Sequence, residues 1–117
     1  MSIIKISYFD LNNICKNPTI IINAKRGSGK STLVRELMNY FNVVLKYPAC
    51  VLCSYSEKVD PYYSEFLPPG YIYEDCQRML NKVIKRQLNL KSINEKRKKD
   101  NKTPFDERIL VVMDDCI

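Results

Sequence analysis

The chain is 117 residues long, enough for one domain with a modest core. At 45% hydrophobic and 27% charged it has a soluble, globular composition, which excludes a disordered or low-complexity chain. No apolar run approaches the roughly 20 residues of a membrane span, and no signal peptide opens the chain, so a protein on the cytoplasmic side of membranes is expected. The net charge of +6 is uneven: residues 77–102 carry ten Lys/Arg against two acidic residues, and the remainder carries nine against eleven. Such a segment can meet a polyanion or serve as a solvated face.

In chain order, "TIIIN" (19–23) is a β-branched run that predicts a buried strand, with Pro18 tolerable at its start. A glycine-bearing turn follows. Residues 30–41 then place Leu33, Val34, Leu37, Met38 and Phe41 at helical spacing. "ACVLCSY" (49–55) predicts a second strand. Its Cys50 and Cys53 form a C-x-x-C, but spacing of three on a strand sends two side chains to opposite faces. With five cysteines, an odd number, and no histidine, reduced, partly buried thiols are expected rather than a zinc site or disulfides.

Residues 56–75 read as loop, broken by Pro61, Pro68, Pro69 and Gly70. The loop is rich in tyrosine but acidic, whereas a nucleic-acid stacking platform wants basic neighbours. Its aromatics are expected to dock onto the core. Residues 75–90 predict an amphipathic helix capped by Asp75. Cys76, Met79, Leu80, Val83, Ile84 and Leu88 lie on one side, and Arg78, Lys82, Lys85 and Arg86 toward the other. Residues 91–108 are polar and basic, with Pro104 as a breaker, and predict a mobile exposed loop or a helix extension. The chain closes on a strand, "ILVVMDDC" (109–116). No internal repeat or domain linker is evident.

The turn after the first strand reads Ala24-Lys25-Arg26-Gly27-Ser28-Gly29-Lys30-Ser31, against the P-loop pattern G-x-x-x-x-G-K-[ST]. Gly27 and Gly29 let backbone N–H groups turn inward with no Cβ in the way. Lys30 supplies a charge to the β- and γ-phosphates, and the Ser31 hydroxyl is a ligand type for Mg²⁺. The helix start adds its positive dipole end. Ala24 replaces the first glycine and fails there only if that position needs φ > 0. Ala24 through Thr32 are thus the candidate ATP-binding residues.

The second half of the site is the apolar run 109–113 followed by Asp114 and Asp115, which looks like a Walker B motif (109–115). Ligands of parallel α/β sheets bind at the C-terminal ends of strands. Asp114 is the candidate partner of Ser31 for Mg²⁺. Asp115 is the candidate catalytic carboxylate, although many such ATPases carry the longer glutamate there. Lys30, Asp114 and Asp115 form the candidate catalytic set.

Four stretches together, "IIINAKRGSGKSTLVRELM", "VLCSYSEK", "PYYSEFLPPGYIYED" and "ILVVMDDC", resemble the genome-packaging ATPases of large DNA viruses, in the FtsK–HerA superfamily. The resemblance runs from about residue 15 to the end. It implies a RecA/FtsK-like three-layer α/β P-loop NTPase fold with a mainly parallel sheet. It also implies a homo-oligomeric ring that drives double-stranded DNA, without reading sequence, into a capsid through a capsid or portal component. The implied location is the host cytoplasm or the virion. Arg26 lies where some packaging motors place an arginine near the γ-phosphate.

In that superfamily a strand carrying a sensor residue lies between the P-loop and Walker B strands. Here that strand, and any arginine finger acting in trans, would fall beyond Ile117. Residues 1–117 therefore read as one incomplete P-loop domain, truncated after Walker B, with poor stability and weak or absent hydrolysis expected of the isolated chain. Two other readings stay open: a nucleotide or small-molecule kinase, and a non-catalytic nucleic-acid-binding remnant.

Overall fold

The computed structural model describes residues 10–25, 27–55 and 61–114, which fall into two compact units, Met1–Tyr40 and Phe41–Ile117. The chain is α/β, with a small parallel sheet and two α-helices.

In the first unit, a short 3₁₀ turn (Leu11–Asn13) is capped by the Asp10 carboxylate, which accepts from the Asn12 N–H at 3.0 Å. The strand expected at 19–23 is not formed. Residues 19–25 run as irregular chain, and Ile21 is 88% exposed. β-branched composition supplies propensity, but a strand exists only through hydrogen bonds to a neighbour, and tertiary context overrides propensity. Helix α1 (Lys30–Asn39) begins where the sequence places it. Val34 and Met38 are its buried residues, whereas Leu33 is exposed. The helix widens into a π-helical turn at Tyr40–Val44.

The second unit is built on a three-stranded parallel sheet in the order β2-β1-β3, where β1 is Cys50–Ser54, β2 Ile72–Tyr73 and β3 Leu110–Asp114. β1 is central, with Leu52 aligned to Ile72 on one side and to Val112 on the other. Leu52 and Cys53 are completely buried, as expected for a strand covered on both faces. β2 falls inside the stretch read as loop. Two residues between proline-rich turns leave no periodicity to detect.

Helix α2 (Cys76–Lys99) packs against β1 and β2, and its Met79 is fully buried. The Asp75 carboxylate accepts from the Gln77 and Arg78 N–H groups at 3.0 and 3.3 Å, a cap typically contributing about 1 kcal/mol. The predicted apolar side is covered only in part, since Ile84 and Leu88 are 57% and 64% exposed.

Beyond residue 90 the helix continues for more than two turns. It ends in a Schellman arrangement: Asn101 is left-handed (φ 55°), the Lys102 N–H donates to the Arg97 carbonyl, and the Asn101 N–H donates to that of Lys98. Lys96 to Lys99 sit in the last turn, where positive charge offsets the helix dipole.

The chain then returns along α2. The Asn94 side chain both donates to and accepts from the backbone of Phe105, at 2.9 and 2.8 Å. Gln87 donates to the Glu107 carbonyl, and the Arg97 guanidinium lies 4.0 Å from the Phe105 ring centre while donating to Thr103. The basic tract is therefore a pinned helix-and-return rather than a bare loop. At its end Arg108 pairs with Asp106, holding that exposed carboxyl below its usual range. It also stacks on Tyr47 and donates to the Lys46 carbonyl.

Candidate functional site

The glycine-bearing loop lies in the first unit. Gly27 and Gly29 both adopt left-handed backbone, at φ 81° and 88°. An L-residue pays about 1–2 kcal/mol for that conformation, which accounts for glycine at these two positions. A Cβ at either would meet nothing within 4 Å, so the loop is open on the side where a side chain would project. Ala24 is not among the positive-φ residues, which removes the objection to alanine there.

The loop closes on itself: the Ser28 N–H and hydroxyl both donate to the Lys25 carbonyl. Gly29 is the N-cap of α1 and offers no side-chain acceptor to the helix N–H groups, while its own carbonyl takes the Leu33 N–H at 3.0 Å. Lys30, Ser31 and Thr32 are the first three residues of the helix. Lys30 is half-buried, and Ser31 and Thr32 are exposed. The first N–H groups of a helix lack intrahelical partners and favour an anion. Arg26 lies outside the described residues.

The acidic half lies in the second unit. Asp114 is the last residue of β3 and aligns with Ser54, the last of β1, at the C-terminal edge of the parallel sheet. This is the edge at which such sheets receive ligands. Asp114 is half-buried, and the Tyr63 hydroxyl donates to its Oδ2 at 2.6 Å. Tyr63 itself is only 2% exposed. It comes from a 3₁₀ turn (Tyr63–Glu65) and meets Tyr62 and Phe66 edge-on, with ring centres 5.1 and 5.7 Å away. The sequence predicts that the loop aromatics dock on the core; Tyr63 does so, whereas Tyr71 stays 49% exposed. The sequence gives no sign of Asp114 as the partner of Tyr63, because the two are 51 residues apart. Asp115 lies outside the described residues.

The C-x-x-C thiols both sit in β1, are not joined in a disulfide, and are buried. Burial pushes the Cys50 thiol up, opposed in part by the Asn42 side chain, so it stays protonated. Cys53 donates to the Glu74 carbonyl at 3.6 Å. Among the described residues no group of three or more His, Cys, Asp or Glu is placed to share a metal ion. A shallow groove at the start of α2 is lined by Asp75, Gln77, Arg78, Asn81, Lys82 and Lys85. It presents three cations, one of which, Lys82, lies 5.4 Å from the Tyr73 ring centre. No described helix is long and apolar enough to cross a membrane.

No family model matches the chain. No solved structure matches it significantly. It is similar to an uncharacterized protein of Acanthamoeba polyphaga mimivirus, 33% identical over 110 residues, covering 93% of this chain and 37% of that one. It is also similar to an uncharacterized protein of Invertebrate iridescent virus 3, 33% identical over 97 residues, covering 72% and 36%. A third relative, an uncharacterized protein of Frog virus 3, is 28% identical over 99 residues, covering 84% and 28%. The chain thus spans only 28% to 37% of the length of these viral relatives.

Proposed function

We propose that this chain is the nucleotide-binding portion of a P-loop ATPase that drives viral double-stranded DNA into a capsid. The observation that carries the reading is the loop: two left-handed glycines lead into a helix whose first residues are Lys30 and Ser31. Chemistry of this kind suits the terminal phosphates of ATP. Residues 24–32 would wrap the phosphates with backbone N–H groups, and Lys30 would add a positive charge.

The residues also fit a magnesium ion. A serine hydroxyl and a carboxylate are hard oxygen donors of the type Mg²⁺ takes. Ser31 in the loop and Asp114 at the strand end each offer one such donor type, and the charge of a bound ion would offset the charge developing on the transferred phosphate. Asp115 is the residue assigned to orient water. Two further observations favour a motor over a small-molecule kinase. The relatives come from viruses, and an apolar strand runs into Asp114 at the ligand edge of the sheet. On this reading the complete protein works as a homo-oligomeric ring beside a capsid or portal component, within the P-loop NTPase fold, in the host cytoplasm or the virion.

Mg·ATP binding by the chain, beside a version extended to the length of its relatives, tests the proposal. Binding by either, abolished on deleting the Lys30 charge, supports it; binding by neither overturns it. A phosphorylated small acceptor as product would point instead to the kinase.

The basic side of α2 is the surface assigned to DNA. Contact there must be to phosphates and therefore insensitive to sequence. If Arg78, Lys82 and Lys85 neutralise about three phosphates, log affinity falls with log salt at a slope of roughly −2.7. Replacing Lys82 and Lys85 by glutamine is expected to flatten that slope by about two units. A fluorescence-anisotropy titration on duplex DNA reads this directly, and an unchanged slope removes α2 from the DNA surface.

A further inference from the structure

We infer that Tyr63 is a positioning residue for the metal-binding carboxylate of Asp114, an inference that rests on the nucleotide-site reading above. The Oη–Oδ2 separation of 2.6 Å lies in the range of a hydrogen bond from a hydroxyl to an ionised carboxylate. Tyr63 is 2% exposed, so its hydroxyl is shielded from water and needs a protein acceptor. The ring cannot swing away easily. It is bracketed edge-on by Tyr62 and Phe66, and its own carbonyl accepts the Phe66 and Leu67 N–H groups at 3.1 and 2.8 Å. The phenol is thus a fixed donor on a packed turn.

The acceptor is the opposite kind of group. Asp114 ends a strand, and its carboxylate has two side-chain torsions to order before it can hold an ion. A donor on Oδ2 restrains both torsions in advance. Hydrogen bonds from outside the ligand shell orient metal-binding carboxylates in this way, and their loss typically costs about 10- to 100-fold in metal affinity.

The experiment measures the Mg²⁺ concentration that half-saturates binding of a fluorescent ATP analogue by the 117-residue chain, or by the extended version where only that one binds, with circular dichroism as the fold control. Tyr63→Phe removes one oxygen and keeps the ring. It is expected to raise the half-saturating Mg²⁺ about tenfold and leave Mg²⁺-free nucleotide binding unchanged. Asp114→Asn should raise the Mg²⁺ requirement further, and adding Tyr63→Phe to Asp114→Asn should change nothing more. A merely structural tyrosine would act equally in both backgrounds.

Tyr63→4-aminophenylalanine restores an N–H donor at the same place and should restore the Mg²⁺ requirement. If Tyr63→Phe does not fold, 4-methylphenylalanine at this position fills the volume without donating and takes its place. An unchanged Mg²⁺ requirement in the donor-free variant overturns the inference alone. Absence of Lys30-dependent nucleotide binding in both the 117-residue chain and the extended version, or a Mg²⁺ requirement untouched by Asp114→Asn, overturns the nucleotide-site reading and the inference with it.

Discussion

Lys30→Ala is expected to weaken Mg·ATP binding by about 10- to 100-fold without disturbing the fold. A hydrogen bond to a charged group contributes about 1.5–3 kcal/mol, and about 1.4 kcal/mol is a factor of ten in affinity. Lys30 is the first residue of α1, so alanine there costs the helix nothing in propensity. Isothermal calorimetry on the folded variant gives the ratio. Two companion changes test the loop rather than the charge. Gly29→Ala places a Cβ on a residue at φ 88° and should cost about 1–2 kcal/mol in holding the binding conformation. Ala24→Gly should leave binding within a factor of two or so, because Ala24 is not held in left-handed backbone and about 0.4 kcal/mol is the scale of loosening such a position. Equal binding by Lys30→Ala and the parent chain would remove the phosphate site and, with it, the motor.

What could be read from the sequence was what local chemistry decides. Helix α1 starts at Lys30 because glycines in left-handed backbone precede a run of good helix formers. Helix α2 starts after Asp75 because a carboxylate there can take the next N–H groups. β1 and β3 are legible as apolar runs, and β3 ends on Asp114 as its composition suggests.

The readings that failed all depend on neighbours. "TIIIN" has strand propensity, yet residues 19–23 form no strand. β2 exists because two residues pair with Leu52 and Cys53, and nothing in "IY" announces that. Ile84 and Leu88 complete a convincing apolar side of α2, but periodicity gives only the direction of a face and not whether anything covers it. The same limit hid Tyr63. A tyrosine in a proline-rich loop signals docking, while its acceptor 51 residues later is a property of the fold.

Leu52→Ala is expected to destabilise the second unit by about 2–5 kcal/mol, the range for truncating a buried leucine. Small domains have only about 5–15 kcal/mol in total, so the loss is a large fraction of what is available. Three observations place Leu52 at the upper end. It is 0% exposed on the central strand; it aligns with both Ile72 and Val112; and β2, at two residues, has little pairing of its own to hold it once its neighbour shrinks. A domain of this size shifts its melting midpoint by about 4–8 °C per kcal/mol, so a fall of roughly 10 °C or more is expected by circular dichroism. Met113→Ala is the matched control. It lies on β3 but is 52% exposed, so about half of its burial term is already absent and its cost should stay near 1 kcal/mol. If both variants melt together near the parent midpoint, β1 is not the centre of the sheet, and Asp114, aligned through β1 with Ser54, loses its place at the ligand edge.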